Sequence, residues 1–211
     1  MSFKLNISKL PLTIFLSIIL GSLLLGCIEI YITAAAHSRG EYLHLENEYL
    51  VVDFPKNWFA YSWKIDNSTS GGLYSLVFSP PELLFLIIFR ILDERATQYY
   101  MKTFNLTDTS SIVTFETQRV CNWTLTENEN ATVLLKEKGE LVVSGNQALY
   151  SKIVIKDGIE SDGTFYNLSF TIVSYLENQR LVQIIFWGKK EDCESSLSLF
   201  QMILNSTYIK A

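Results

Sequence analysis

One stretch constrains this chain more than any other: residues 10–32, LPLTIFLSIILGSLLLGCIEIYI, the only long apolar run in its 211 residues. About 20 consecutive apolar residues match the hydrocarbon thickness of a bilayer. Lys4 and Lys9 precede the run, and no Lys or Arg comes after it until Arg39. That charge bias keeps the N-terminus inside and exports the remainder of the chain. Whatever folds behind the run is therefore expected to face outside the cytoplasm.

The run itself has three readings. As an uncleaved signal anchor it crosses the membrane, with Glu29 near the outer interface where a charge is tolerated. As a lipoprotein signal it ends in Leu24-Leu25-Gly26-Cys27, and Cys27 would be lipidated and become the new N-terminus. Against that, Leu25 stands where a smaller residue is usual, and IEIYITAAA is apolar for a tether. The third reading is cleavage after Ala34-Ala35-Ala36, leaving His37 first. The first two share a consequence, a domain held on the outer membrane face. Residues 1–36 are thus read as a signal anchor or lipoprotein signal segment, 37–48 as a polar connector, and 49–211 as one domain with a full-sized core.

Two further features agree with export. Glycosylation acceptors of the form Asn-x-Ser/Thr stand at Asn67, Asn105, Asn122, Asn130, Asn167 and Asn205, where roughly two would arise by chance. Of three cysteines, Cys27 lies in the run, which leaves Cys121 and Cys193 as an expected disulfide. The loop it would close is worth ~4 kcal/mol in the chain-entropy model.

Along the domain, strands are expected over 49–54, 58–65 and 73–79, the last closed by Pro80-Pro81. Residues 83–92, LLFLIIFRIL, are too short to span a membrane and read as a core strand. A helix comes next, over 94–106. Residues 107–130 are polar and poorly patterned, with a short strand at 112–115. A meander then runs through 133–136, a Lys138-Gly139 turn, 141–144, 148–156, 165–176 and 181–187. Asp157-Gly158 and Asp162-Gly163 fit turns, and Glu177-Asn178-Gln179 fits a hairpin connection. The last two strands are apolar on both alternating faces, so helices should cover each face of the sheet. Residues 191–205 form the clearest helix, with Cys193, Leu197, Phe200, Ile203 and Leu204 on one side and acidic residues in its first turn.

This order of motifs is similar to that of a known family. It has a Pro55-x-x-Trp58 turn, a strand ending in Phe78-Ser79-Pro80, and the step Val143-Ser144-Gly145-Asn146-Gln147-Ala148. A final helix runs into Asn205-Ser206-Thr207-Tyr208. Across about residues 49–209 the chain resembles the PsbP-like superfamily, which includes extrinsic photosystem II proteins, DcrB-type lipoproteins and Mog-type Ran-binding proteins. The resemblance implies an α+β fold, an α/β/α sandwich around a central, mostly antiparallel sheet, and an accessory or assembly role. Read physically, Gly145 allows positive φ at a strand junction. Ala148 suits a closely packed cover, and Trp58 can cap the core.

Little in the chain carries chemistry. A net charge of −5 offers no basic face for nucleic acid. The only histidines, His37 and His44, lie in the connector, so a Ser-His-Asp arrangement requires the connector to fold back. Asp93-Glu94 and Glu191-Asp192 sit at helix starts, where capping and the helix dipole explain them. Ser70-Gly71-Gly72 precedes a strand instead of opening a helix and does not cradle phosphate. No catalytic residue, metal site or cofactor is expected. The reading is a membrane-tethered, extracytoplasmic, non-enzymatic domain that binds an envelope partner. The alternatives are a small-molecule or lipid-binding module and a carboxylate-based hydrolase.

Overall fold

The computed structural model describes residues 28–31, 36–39, 41–82, 85–161 and 163–210. Twelve strands and four helices occur among them: β1 (Ile28–Tyr31), β2 (Ala36–Arg39), β3 (Tyr42–Glu46), β4 (Leu50–Pro55), β5 (Phe59–Asn67), β6 (Gly71–Ser79), β7 (Phe85–Leu92), α1 (Glu94–Thr103), α2 (Thr109–Glu127), β8 (Thr132–Val143), β9 (Asn146–Ser161), β10 (Thr164–Glu177), β11 (Arg180–Lys189), α3 (Lys190–Ser195), α4 (Leu197–Ser206) and β12 (Tyr208–Ile209). All the strand pairs are antiparallel. Eight strands form one sheet in the order β1-β5-β6-β7-β11-β10-β9-β8, and four form a second in the order β12-β4-β3-β2.

The large sheet is buried on both faces, as its apolar strands require. Alternate residues divide the cover. Leu76, Phe78, Ile87, Phe89, Val173, Val182 and Ile184 face one way, onto Phe200, Ile203 and Leu204 of α4 and onto Leu45, Leu50, Val52 and Phe54 of the small sheet. Val77, Ile88, Ile153, Ile172 and Trp187 face the other way, onto Cys121 of α2, and Leu73, Leu92 and Leu181 pack with Ala96 of α1 and Ile112 of α2. The sandwich is therefore asymmetric. Two helices cover one face, while helices and a second sheet share the other. The α/β/α expectation holds for the helix pairs and is corrected by that second sheet.

Two of the second sheet's four strands, β2 and β3, come from residues read almost wholly as a connector. Strand β3 pairs β4 from Tyr42↔Pro55 to Glu46↔Val51, and Leu45 is buried in the core. Strand β4 buries every second residue, the signature of a half-buried strand. The apolar run is also reapportioned: its end, Ile28–Tyr31, is strand β1 at the edge of the large sheet, paired with β5. Residues 10–27, including Cys27, lie outside the described residues. Among the described residues no helix is long and apolar enough to cross a membrane.

The polar stretch 107–130 is not a loop with a short strand but the longest helix, α2. Asp108 and Ser111 form a reciprocal capping box at its start. Its buried positions, Ile112, Val113, Glu116, Thr117, Cys121 and Thr124, have helical spacing, but half of them are polar, which blurred the apolar stripe. Thr117 and Thr124 donate their hydroxyls to the carbonyls of Val113 (2.6 Å) and Val120 (3.0 Å), so burial leaves them satisfied.

Lys138-Gly139 is not a turn. It lies inside β8, where a Cβ on Gly139 would meet the Tyr150 ring at 2.6 Å. The reversal comes at Ser144-Gly145, with φ of 53° and 80°, as a two-residue hairpin needs. Asn178-Gln179 makes the same kind of turn, at 49° and 65°. Asp157-Gly158 lies within β9 instead of ending it. The single helix expected over 191–205 is two, α3 and α4, parted at Ser196.

Candidate functional site

A row of polar side chains crosses the face of the large sheet beneath α1 and α2. The register sets Ser75 opposite Arg90, Arg90 opposite Gln183, and Gln183 opposite Ser174. Ser75, Gln183 and Ser174 are fully buried and Arg90 is half-buried. Both amide atoms of Gln183 and the Ser174 hydroxyl have no hydrogen-bond partner among the described residues. The row divides the apolar cover on this face into two clusters, one around Val77, Ile88 and Ile172 and one around Leu73, Leu92 and Leu181.

Above the row, α2 inserts Glu116, 1% exposed. Arg119, one turn on, sends Nη2 (2.6 Å) and Nε (3.0 Å) to the same Glu116 oxygen, and the Tyr100 hydroxyl of α1 donates to the other. Burial works to raise the Glu116 pKa, but Arg119, Arg90 and the Tyr100 hydroxyl outweigh it and hold the carboxyl below its ordinary value. Burial and then the Glu116 charge push the Tyr100 phenol up. Glu116 is thus a locked anion. A general acid needs a raised carboxyl, so the arrangement suits the clamping of α1 to α2, not proton transfer.

The clamp carries an aromatic corner. Tyr100 meets Phe104 edge-on at 5.2 Å and Phe115 at 6.1 Å, while Phe104 lies 4.5 Å from Phe115. Tyr99 and Phe104 are 49% and 45% exposed, and Phe115 is half-buried. Tyr99, Tyr100 and Phe104 lie in the stretch expected as a helix over 94–106, whereas Phe115 and Glu116 lie in the polar stretch where only a short strand is expected. The (i, i+3) spacing of Glu116 and Arg119 beside a capping box was the available signal.

The other expected residues fall elsewhere. His44 does fold back: its Nδ1 lies 2.7 Å from Asp53 Oδ1. Ser206 is nearby, yet its hydroxyl bonds the backbone of Asp53 and the carbonyl of Ile203, an arrangement that ties α4 to β4. Among the described residues no three His, Cys, Asp or Glu side chains gather as a metal site. Asp93 caps α1, accepting from Ala96 N (2.7 Å) and Gly72 N (2.6 Å). A cleft of about 150 Å³ lined by Tyr49, Lys64, Tyr74, Ile91 and Arg180 is well below the ~300 Å³ at which ligand pockets begin.

The expected Cys121–Cys193 disulfide is corrected. Both thiols are free and buried, Cys193 in the cluster on one face of the large sheet and Cys121 in a cluster on the other. The sheet stands between them, so no rotamer brings the sulfurs together. Burial first, then neighbouring acidic groups, pushes the Cys193 thiol up to about 12. Of the glycosylation acceptors, Asn105, Asn122, Asn130 and Asn205 are exposed, while Asn67 and Asn167 are half-buried. Asn105 borders the aromatic corner at a φ of 54°.

No protein-family model matches the chain, and no curated protein matches it in sequence. Its structure is similar to that of cyanobacterial PsbP (CyanoP) from Synechocystis sp. PCC 6803, with 10% identity over 86% of this chain and 92% of that one, at a TM-score of 0.39. It is also similar to LpqN of Mycobacterium tuberculosis, a protein involved in cell envelope biogenesis, with 8% identity over 88% and 93% of the two chains and a TM-score of 0.36.

Proposed function

We propose that this chain is a non-enzymatic accessory domain, tethered to the outer face of a membrane by its N-terminal run, which docks an envelope protein on the aromatic corner of α1 and α2. The observation that carries the reading is the exposure of Tyr99 and Phe104 on α1, with Phe104 against Tyr100 and Phe115 and with Tyr100 and Arg119 holding the buried Glu116 carboxylate. Rigid aromatic side chains supply contact area at low entropic cost and are enriched among binding hot spots. Burying the Glu116 carboxylate carries a desolvation cost that Arg119, Arg90 and the Tyr100 hydroxyl offset. Residues 10–27, the part of the run before β1, support the tether by their apolar character and inside-positive flank.

The test is capture from detergent-solubilised membranes of the native host, with the full chain as bait, against a Tyr99→Ser/Phe104→Ser variant of equal thermal stability. A partner retained by the wild type and lost with the variant supports the reading. Equal recovery by both baits, or none by either, sinks it. An intact mass for the mature chain tests the tether: an intact run or a lipid on Cys27 supports it, and a start at His37 overturns it.

A further inference from the structure

Strand β8 ends the large sheet, and among the described residues no strand pairs with its outer edge. Natural edge strands are usually kept short or are defended by charges and bulges. This one has charges, and a bulge between Val133 and Leu135, but it is 12 residues long. It also leaves Leu134 and Val142 58% and 67% exposed, with Leu135 at 39%. The charges lie in the middle, as Lys136, Glu137, Lys138 and Glu140.

That pattern is close to self-complementary. Two copies of one antiparallel strand lie side by side only about a two-fold axis normal to the sheet. Opposed residues then share a face, so the axis falls on a residue and not between two. Five centres are available in the charged stretch, and those on Lys136 and Glu140 oppose a charge to itself while forming no pair of opposite charges. Centring on Glu137 opposes it to itself and sets Lys136 against Lys138, which repels. Centring on Gly139 pairs Lys138 with Glu140 but sets Lys136 against Val142 and Glu137 against Leu141. Centring on Lys138 pairs Lys136 with Glu140 twice, Leu135 with Leu141 twice, and Leu134 with Val142 at each end. Its one like-charge pair is Lys138 with itself, and that ammonium is drawn off the strand onto Thr114 Oγ1 of α2 at 2.8 Å. Glu140 is held through one oxygen by Gln147 (2.7 Å), leaving the other for a lysine.

We infer that the edge of β8 receives a second copy of this chain, strand to antiparallel strand, with the two-fold axis on Lys138. The large sheet then continues through the pair. The contact is one strand edge, at or below the ~1,200 Å² that marks the low end of specific interfaces, so association depends on concentration. The charges that guard the edge against other strands select this register. The inference does not depend on the aromatic corner, which lies on other elements.

The test is sedimentation equilibrium of the full chain in density-matched detergent. The wild type is expected to pass from monomer to dimer with concentration. Glu140→Lys should weaken the dimer about tenfold by placing two like-charge pairs across the axis. Adding Lys136→Glu should restore it, which a merely structural effect of Glu140 would not do. Under mild oxidation Lys138→Cys should form a disulfide between copies, while Glu137→Cys and Glu140→Cys should not. A monomer at every concentration overturns the inference. So does a dimer indifferent to Glu140→Lys, which would be held by another surface. Protection of the β8 amides from exchange only when a different protein is added would give the edge to a foreign strand instead.

Discussion

The two faces of the large sheet are built by the same strands and differ in every second residue. Toward α4 and the small sheet the cover is one continuous apolar cluster running from Leu45 through Phe78 and Ile184 to Ile209. Toward α1 and α2 it is cut in two by Ser75, Arg90, Gln183 and Ser174, with Glu116 and Arg119 above. The first face is what stability alone would select. The second carries a charge cluster and unpartnered amide atoms that apolar residues of the same size would remove at little cost. The face that departs from the cheapest core is the one that fixes the angle between two helices and displays an aromatic corner. Our hypothesis is that the polar row specifies that geometry; an apolar row under which α1 and α2 kept the same partner affinity would contradict it.

The contrast between the faces can be tested at four places. The largest effect is expected on the apolar face. Phe78→Ala removes a fully buried ring touching Phe54 and Phe89 and should cost about 4 kcal/mol in urea unfolding. Next comes Glu116→Ala, which strands Arg90 and Arg119 without their counter-charge. The loss should be about 3 kcal/mol, at the low end for a broken buried pair because Arg119 is 49% exposed.

Glu116 also sets a pH signature. Its folded pKa lies below the ordinary 4.5, so its contribution is complete above that value. It is lost as pH falls through the lower folded pKa. Stability measured from pH 6 downward should show this acid limb in the wild type, and Glu116→Gln should flatten it. A limb of equal size in the variant would remove Glu116 as its source.

The third change runs the other way. Gln183→Leu deletes two unpartnered buried amide atoms and should raise stability by about 1 kcal/mol. A loss would show that the amide is satisfied in solution. Smallest is the cysteine pair, one on each face. Alkylation before and after unfolding, read by intact mass, should find both thiols of the domain shielded when folded and free when unfolded. A mass deficit of two hydrogens would mean the faces meet.

Much of the fold was legible. Strand β7 announces itself by Phe and Ile after a double proline, α1 by its spacing after Asp93, and the Ser144-Gly145 reversal by its glycine. Trp58 does cap the core, edge-on to Phe85 at 5.3 Å. The candidate site was not legible, and α2 shows why. Apolar periodicity finds a helix only when its buried side is apolar, and here Glu116, Thr117 and Thr124 are buried as well. Gly139 misled for a related reason: a glycine reads as a turn, but this one makes room for the Tyr150 ring across the ladder.

Features that depend on neighbours along the chain were set by the sequence alone. These are the apolar run and its charge bias, the period-2 strands, the capping residues, and the turns that demand positive φ. Features that depend on residues far apart were settled only by tertiary packing. Residues 42–46 become a strand because β4 offers them a ladder. Cys121 and Cys193 stay apart because a sheet lies between them. Glu116 stays charged because Arg119 beside it is joined by Arg90 of β7 and the Tyr100 hydroxyl of α1, and β8 is an edge because β9 takes only one of its sides. Those outcomes rest on long-range pairing and on burial, and neither is written in any local stretch of the chain.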